Sequence, residues 1–312
     1  VDLTGEVVFV RHSIDDNHEL ASSTGARIVH SCGFDSVPSD IGVHVLHEAV
    51  QAAGEGELGP TTFVVTQVSG GVSGGTIDTV RHLVDTFRAD RDLRRMAASP
   101  YSLTPDRAAE PDLGRQPDSD SMPAHEADPS LRGTLAPFFM ASYNTRVVRR
   151  SNALRGYPYG RGFRYREMMS TGTSPLSPVL AAGMKLGIGA LFAGLALPPT
   201  RMVLDRVLPK PGAGPDERTR RNGKFTIDIF TTTTTGARFK TRFRMKGDPG
   251  YAATAVMLGE SALALVHDRD KLPPSAGGVL TPATALGDAL VTRLHAAGVE
   301  ITTTRTVTAA AA

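Results

Sequence analysis

The chain has 312 residues, with 34 Lys and Arg against 32 Asp and Glu and a single cysteine. A formal net charge of +2 supplies no strong positive field for nucleic-acid binding, and one cysteine excludes an internal disulfide. The length suits two domains or one large α/β unit, and the low cysteine content favours a reducing, cytoplasmic location.

The first fifty residues predict alternating strands and helices. The opening VDLTGE predicts a short strand ending in a turn at residues 4–6, and a helix follows over residues 15–23. Residues 27–30 form a short apolar run, which is typical of a buried parallel strand. Pro38 suits a first helical turn, and apolar residues recur at helical spacing from Ile41. This order of elements is typical of a parallel sheet.

The loop after the second predicted strand, residues 33–40, is a candidate ligand loop. Ligands of open α/β sheets sit beyond the carboxyl ends of the strands, and the turn at residues 4–6 follows the neighbouring strand. We therefore expect the two loops to converge on one ligand. The alternative is that both are ordinary turns whose polar residues cap the following helix.

The middle of the chain contains two segments of low apolar content. The stretch SGGVSGGT, residues 69–76, either lets the backbone approach a ligand or connects two domains flexibly. It is not a phosphate-binding loop, because no Gly-Lys-Ser/Thr follows. Residues 97–132 are rich in Pro, Asp, Ser and Ala, and this composition predicts mobility.

Residues 176–197 are the most apolar part of the chain and are about long enough to cross a bilayer. Lys185 lies near the middle, and four glycines dilute the apolar character. We predict a buried helix, or one that lies on lipid or on a lipid-like substrate, in preference to a membrane span. The glycines predict close helix packing.

The last third predicts a β-hairpin followed by helices and a final strand. Two β-rich runs between residues 222 and 251 are broken at Gly236, which indicates a hairpin. Helices are predicted over residues 252–268 and 282–297, and the strand VEITTTRTV follows Gly298.

Metal binding and nucleophilic catalysis have little support in the sequence. His44 and His47 lie three residues apart on a predicted helix, but no third ligand cluster lies nearby, so we predict no metal site. Cys32 has no assigned base, and we interpret it as a packing residue.

Residues 146–167 form the most basic and aromatic stretch of the chain. Tyr157, Tyr159 and Tyr165 are the candidates for donating a proton or an oxyanion hydrogen bond. The arginines of this stretch would hold a phosphopantetheine or an acidic lipid surface, or they belong to a solvated loop. We favour the solvated loop.

Five sequence blocks, in this order, resemble the saccharopine dehydrogenase-like oxidoreductases, and most closely the mycobacterial trans-acting enoyl reductase branch. The blocks are VDLTGE, HSCGFDSVPSDIG, GGVSGGT, KGDPGYAATAVMLGESALAL and GGVLTPATALGDALVTRL. They are distributed over nearly the whole chain. Together they are far more specific than a single glycine motif.

The resemblance implies an α/β fold made of three parts. Residues 1–52 would be the C-terminal part of a Rossmann-like domain, and residues 53–275 an inserted α+β substrate domain. Residues 276–312 would be a C-terminal helix and strand that return to the Rossmann-like part. The family's glycine-rich dinucleotide fingerprint is not found in this sequence, so we expect an N-terminally truncated chain without the first βαβ units.

The resemblance also implies NADPH-dependent reduction of an enoyl group on a lipid or polyketide intermediate, free or carrier-bound. The matching nicotinamide-site residues are Thr4, Gly5, Glu6, Cys32, Gly33, Phe34, Asp35, Ser36, Val37, Pro38 and Ser39. The alternative is a non-catalytic, lipid-associated or scaffold protein that keeps the fold without the cofactor-binding half. Peripheral contact with a membrane and self-association stay open as further expectations.

Overall fold

The computed structural model describes residues 1–70, 74–210, 212–275 and 277–306. Residues 71–73 of the predicted glycine-rich connection and residues 307–312 of the predicted returning segment therefore lie outside the described residues. In chain order the elements are α1 (Val7–Thr24), β1 (Arg27–Val29), α2 (Val37–Ala52), β2 (Leu58–Ser69), α3 (Gly74–Ala89), α4 (Arg91–Ala98), β3 (Met122–Pro123), β4 (Thr134–Pro137), α5 (Ala141–Leu154), β5 (Arg164–Ser170), α6 (Ser177–Ala196), α7 (Pro198–Val207), α8 (Glu217–Asn222), β6 (Lys224–Thr233), β7 (Arg238–Lys246), α9 (Ala252–His267), β8 (Gly278–Leu280), α10 (Pro282–Ala285), α11 (Gly287–Ala296) and β9 (Glu300–Thr306).

The strands within these ranges form two sheets. A seven-stranded sheet has the order β3-β4-β5-β2-β6-β7-β9, in which β2 and β5 are parallel and the other neighbours are antiparallel. A separate pair, β1 and β8, is parallel. The predicted α/β fold class is confirmed.

Helix α2 is the central helix of the molecule. It packs against β6, β7 and β9 of the large sheet, and also against α5, α10 and α11. Ile41 and Leu46 are fully buried, as expected for a helix with apolar residues around most of its circumference. At Gly42 the helix approaches the sheet so closely that an added Cβ would lie 2.5 Å from Ile229 Cδ1.

Several predicted elements are confirmed, but the strand predicted for VDLTGE is wrong, because residues 1–6 have no regular secondary structure, and the first helix differs. Strand β1, helix α2, the β6–β7 hairpin and helix α9 lie where the sequence predicts them. Helix α1 starts at Val7 and not near residue 15, because Val7, Val10 and Ile14 form one buried face that packs against Tyr143. Tertiary burial thus overrides the low helix propensity of the valines.

The C-terminal segment joins both sheets. Strand β8 pairs with β1 and therefore returns to the first part of the chain, but β9 pairs with β7 and extends the large sheet. The single helix predicted over residues 282–297 is divided into α10 and α11, with Gly287 in the left-handed region at φ 45°.

The arginines of α5 correct two expectations. Arg146, Arg149 and Arg150 are buried and do not belong to a solvated loop. Their i, i+3, i+4 spacing places them on one helix face, which contacts the segment 97–132. Arg146 and Arg149 bond Asp118, at 2.5 and 3.2 Å, and Arg150 donates to the carbonyl of Leu103 at 2.5 Å. The segment predicted to be mobile is therefore packed against α5 at these positions.

Helix α6 is the segment whose composition suggests a membrane span. Among the described helices it alone is long and apolar enough to cross a bilayer, and only 11% of its apolar stretch is buried. It is therefore largely exposed, which rules out the buried alternative. Close packing occurs only at Gly194, where a Cβ would lie 2.9 Å from Leu204 Cδ1 of α7, while the other glycines of α6 have no neighbour within 4 Å.

Candidate functional site

The two predicted ligand loops meet in the structure. The backbone N–H of Cys32 donates to the carbonyl of Asp2 at 2.8 Å, and the Ser31 hydroxyl donates to the carbonyl of Thr4 at 2.9 Å. A Cβ on Gly5 would lie 3.7 Å from Asp35 Oδ2. Residues 2–5 thus run beside the loop that follows β1, so the two segments are neighbours, although no strand precedes residues 4–6.

Ser31 holds the junction of the two loops in an unusual backbone conformation. Its φ is 64°, in the left-handed region that non-glycine residues rarely adopt. Such a conformation costs about 1–3 kcal/mol and persists when the surroundings impose it. Here the Ser31 N–H donates to Asp2 Oδ1 at 3.3 Å, and its hydroxyl forms a short hydrogen bond with the buried Tyr143 hydroxyl. Burial raises the pKa of Tyr143 far above its usual value.

The Asp2 carboxylate connects the first loop to the end of β1 by hydrogen bonds. Its carboxylate accepts from the Thr4 N–H at 3.0 Å and lies 2.5 Å from His30 Nδ1, while His30 Nε2 contacts the Ser13 hydroxyl at 2.8 Å. Burial alone would raise the pKa of Asp2, but the hydrogen bonds with His30 and Thr4 outweigh it and lower the pKa. Asp2 is therefore ionised at neutral pH.

A second network of buried polar side chains links the start of α2 to α5 and β5. The Ser36 hydroxyl donates to Asn144 Oδ1 at 3.1 Å, and Asn144 Nδ2 donates to Glu167 Oε2 at 2.8 Å. The Tyr165 hydroxyl donates to Glu167 Oε1 at 2.8 Å. Burial raises the pKa of Glu167 to about 7, so this carboxyl exchanges its proton near neutrality. The buried Ser39 hydroxyl lies beside it without a hydrogen bond of good geometry to any described residue.

Asp40 connects three helices behind the loop. It accepts from the Ser151 hydroxyl of α5 at 2.5 Å and from the Ala283 N–H of α10 at 2.7 Å, and it lies on α2 itself. Burial raises its pKa to about 6, against the lowering effect of these hydrogen bonds. The role of Asp40 is to hold the helices that carry the loop.

Asp35 is the chemically distinctive residue of the junction. Its carboxyl has no hydrogen-bond or ion-pair partner in the part of the chain that the structure describes, although Gly5 and Tyr143 lie close. Although the residue as a whole is partly exposed, its carboxyl group is desolvated, and this raises its pKa to about 6. A carboxyl with such a pKa is protonated in about half of the molecules at pH 6 and in about a tenth of them at pH 7.

Only some of the residues predicted to form the nicotinamide site are accessible at the surface. Thr4, Gly5, Glu6, Phe34 and Asp35 are partly exposed, and we call these five residues the ledge. The other predicted members are buried and support the ledge from within, namely Cys32, Gly33, Ser36, Val37, Pro38 and Ser39.

Two of these supporting residues have clear packing roles. Burial raises the pKa of Cys32 to about 12, which makes it a poor nucleophile. A Cβ on Gly33 would lie 2.8 Å from Leu3 Cδ2 and 3.0 Å from Thr254 Cγ2, so protein atoms fill the space beside this glycine.

The three candidate tyrosines lie in different places. The Tyr157 hydroxyl donates to Glu110 at 3.3 Å, and Arg161 covers its ring. Tyr159 is buried with its ring 5.1 Å from that of His47. Only Tyr165 joins the network beneath the loop, through Glu167.

Tyr143 and Asn144 are site residues that the sequence analysis missed. They occupy the first turn of α5 and reach Ser31 and Ser36 respectively. The available signal was the position of Tyr143 three residues before Arg146, which places the two on one face of a helix, but the sequence analysis interpreted these arginines as part of a solvated loop.

His44 takes part in an ion-pair cluster. Its Nε2 lies 2.9 Å from Asp288 Oδ1, and its Nδ1 lies 3.0 Å from Arg155 Nη1. No group of three or more His, Cys, Asp or Glu side chains suited to a metal ion occurs within the described ranges. His44 and His47 thus have structural partners, the latter against Tyr159.

Comparison with known proteins gives a consistent group of relatives. No protein-family model matches the chain. The chain is 52% identical over 309 residues to a Mycobacterium tuberculosis protein named as a trans-acting enoyl reductase, covering 97% of this chain and 73% of that relative. Trans-acting enoyl reductases of Mycobacterium bovis and Mycobacterium ulcerans are 47% and 46% identical, with the same coverage.

Proposed function

The chain belongs to the trans-acting enoyl reductase family, and from that premise we propose that it reduces an enoyl group on a lipid or polyketide intermediate with NADPH. We also propose that the family is a branch of the saccharopine dehydrogenase-like oxidoreductases. The five sequence blocks support this wider relationship.

Enoyl reduction requires a hydride at the β carbon, stabilisation of the developing enolate and a proton at the α carbon. NADPH supplies the hydride when it is bound. The ledge suits the nicotinamide end of this cofactor, because Gly5 presents backbone without a side chain and Phe34 offers a partly exposed ring. In this proposal Thr4, Gly5, Glu6 and Phe34 hold the nicotinamide, and the buried residues keep the ledge in shape.

Asp35 is the proposed proton donor. The observation that carries the proposal is its unpartnered carboxyl at the junction of the two loops, beside Gly5. Because burial raises its pKa to about 6, Asp35 can hold a proton near neutrality and give it up to a developing carbanion. Ser31 and Tyr143 act through the backbone of the loop and are positioning residues.

The test is the substitution Asp35→Asn in the purified protein, produced together with the N-terminal βαβ units that the resemblance implies for cofactor binding. We measure NADPH oxidation with a long-chain enoyl thioester, and NADPH binding by calorimetry. The amide keeps the shape but cannot donate an acidic proton, so we expect kcat to fall by about 10²–10⁴-fold while NADPH affinity changes by less than about twofold. Tyr157→Phe is the control and should retain activity, because its hydroxyl bonds Glu110.

Two outcomes contradict the proposal at different levels. If Asp35→Asn keeps most of the activity, another group donates the proton while the reductase function stands. If the unsubstituted protein neither binds nor oxidises NADPH, the function itself is overturned in favour of the non-catalytic, lipid-associated alternative.

A further inference from the structure

Helices α6 and α7 expose an unusually apolar surface. Six of their large apolar side chains are each more than half exposed: Val179, Leu180, Leu186, Met202, Val203 and Val207. We call these six residues the apolar face. Six exposed apolar groups on two helices that contact each other mark a surface that binds something, because isolated surface leucines and valines are normal but such a cluster is not.

The protein body holds α6 along its whole length. At its start the Ser177 hydroxyl lies 3.3 Å from Thr134 Oγ1 of β4, and at its end Arg88 of α3 donates to the carbonyl of Ala196. Near its middle Lys185 Nζ pairs with Asp120 at 2.8 Å. A helix fixed at both ends and at its centre lies on the protein surface, and crossing a bilayer would break all three contacts.

The charge next to the apolar face is positive. The segment 176–210 contains four basic residues, Lys185, Arg201, Arg206 and Lys210, and one acidic residue, Asp205. Lys185 and Arg201 are paired with Asp120 and Asp85, so Arg206 and Lys210 carry the excess positive charge. Arg206 lies three and four residues after Val203 and Met202, so it projects from the same side of α7 as these two. Within the described residues its exposed guanidinium has no ion-pair or hydrogen-bond partner.

A basic depression adjoins the end of this segment. The Tyr251 hydroxyl donates to the carbonyl of Ala213 at 2.9 Å and so fixes the chain that follows α7. Tyr251 also lines a cavity of about 500 Å³ together with Arg220, Arg221 and Lys246. The one carboxylate in this lining, Glu217, is paired with Arg221 at 2.5 Å, which leaves the cavity with excess positive charge.

We propose that the apolar face docks on the surface of an anionic lipid bilayer. The apolar side chains enter the boundary between headgroups and acyl chains, and Arg206 and the basic cavity meet anionic headgroups, as in other interfacial helices. A second copy of the chain is a poorer occupant, because it would bring the same excess positive charge to the contact.

The proposal is tested by vesicle flotation of the full chain. Vesicles of phosphatidylcholine alone are compared with vesicles that also contain phosphatidylglycerol. We expect binding to the anionic vesicles that weakens as salt is added. Val203→Glu should weaken it by about tenfold or more, because it places an acid within the apolar face. Val266→Glu on α9 is the matched control, since Val203 and Val266 are 58% and 61% exposed, and it should bind normally.

Each other outcome overturns the proposal. Equal loss of binding in both variants would show that the apolar face has no special role. A concentration-dependent dimer that Val203→Glu dissociates, without vesicle binding, would identify a second copy as the occupant. Resistance to carbonate extraction would identify a true span. NADPH oxidation, measured in parallel without vesicles, does not depend on any of these results.

Discussion

At the scale of single residues, Glu167 makes the stability of the protein depend on pH. Its folded-state pKa of about 7 lies above its usual value of 4.5, because the carboxyl is fully buried. A raised carboxyl pKa means that the folded state holds the proton more tightly than the unfolded state. The stabilisation is complete below about pH 4.5 and is lost as pH rises through about 7.

Glu167→Gln should remove this dependence. Glutamine does not titrate. The side-chain amide of Asn144 can rotate so that its oxygen accepts from the new glutamine NH2 group. Its own NH2 group then donates to the Ser36 hydroxyl, which can donate or accept. The free energy of unfolding of the variant, relative to the unsubstituted protein, should therefore rise between about pH 5 and about pH 8, by about 3 kcal/mol at most. Urea titrations at the two pH values measure it. Glu19→Gln changes the same charge on the surface as a control, and a flat difference for Glu167→Gln would contradict the raised pKa.

At the scale of elements, the contact between α2 and β6 depends on the absence of one side chain. Gly42→Ala would put a Cβ 2.5 Å from Ile229 Cδ1, and Ile229 is fully buried. We expect the free energy of unfolding to fall by about 1 kcal/mol, because overpacking outweighs the gain in helix propensity.

Gly259→Ala is the matched substitution in α9. Nothing lies within 4 Å of its Cβ position, so only helix propensity acts there. This variant should be more stable by about 0.5–1 kcal/mol. Thermal and urea unfolding of the two variants compare them directly, and equal stabilisation of both would refute the close approach of α2 to the sheet.

The elements also show what local sequence patterns can and cannot predict. The β6–β7 hairpin and α9 follow from alternation, turn residues and helical periodicity, which act over a few positions. The start of α1 could not be predicted in this way, because its valines are helical through burial against Tyr143, which is remote in sequence. The loop after β1 was predictable from a strand end, whereas residues 4–6 follow no strand and lie beside that loop through hydrogen bonds to Ser31 and Cys32. Glu167 could not be predicted as a neighbour of the loop, because it comes from β5, which is remote in sequence.

At the scale of the whole molecule, we expect one cooperative unfolding transition despite the three-part division of the sequence. A continuous apolar core includes Val29, Phe63, Phe225 and Ile301, which come from all three predicted parts. Asp40 bonds α2 to α5 and α10. Far-ultraviolet circular dichroism and tyrosine fluorescence should therefore give coincident urea transitions.

Asp40→Ala tests the same expectation. It leaves the Ala283 N–H without its buried acceptor and removes one of the partners of the Ser151 hydroxyl, which should lower the free energy of unfolding by about 2–4 kcal/mol. Both probes should shift together. Two separated transitions, in either protein, would show that the predicted domains unfold independently.

The pairing of β1 with β8 has a consequence for biosynthesis. Arg27 aligns with Gly278, so β1 leaves the ribosome about 250 residues before its partner strand. At roughly 5–20 residues per second this delay lasts on the order of 12–50 s. For that time the nascent α1–β1 segment presents its apolar residues to the solvent. The ledge, which depends on β1, can form only when translation is almost complete, and early chaperone engagement would protect this segment in particular.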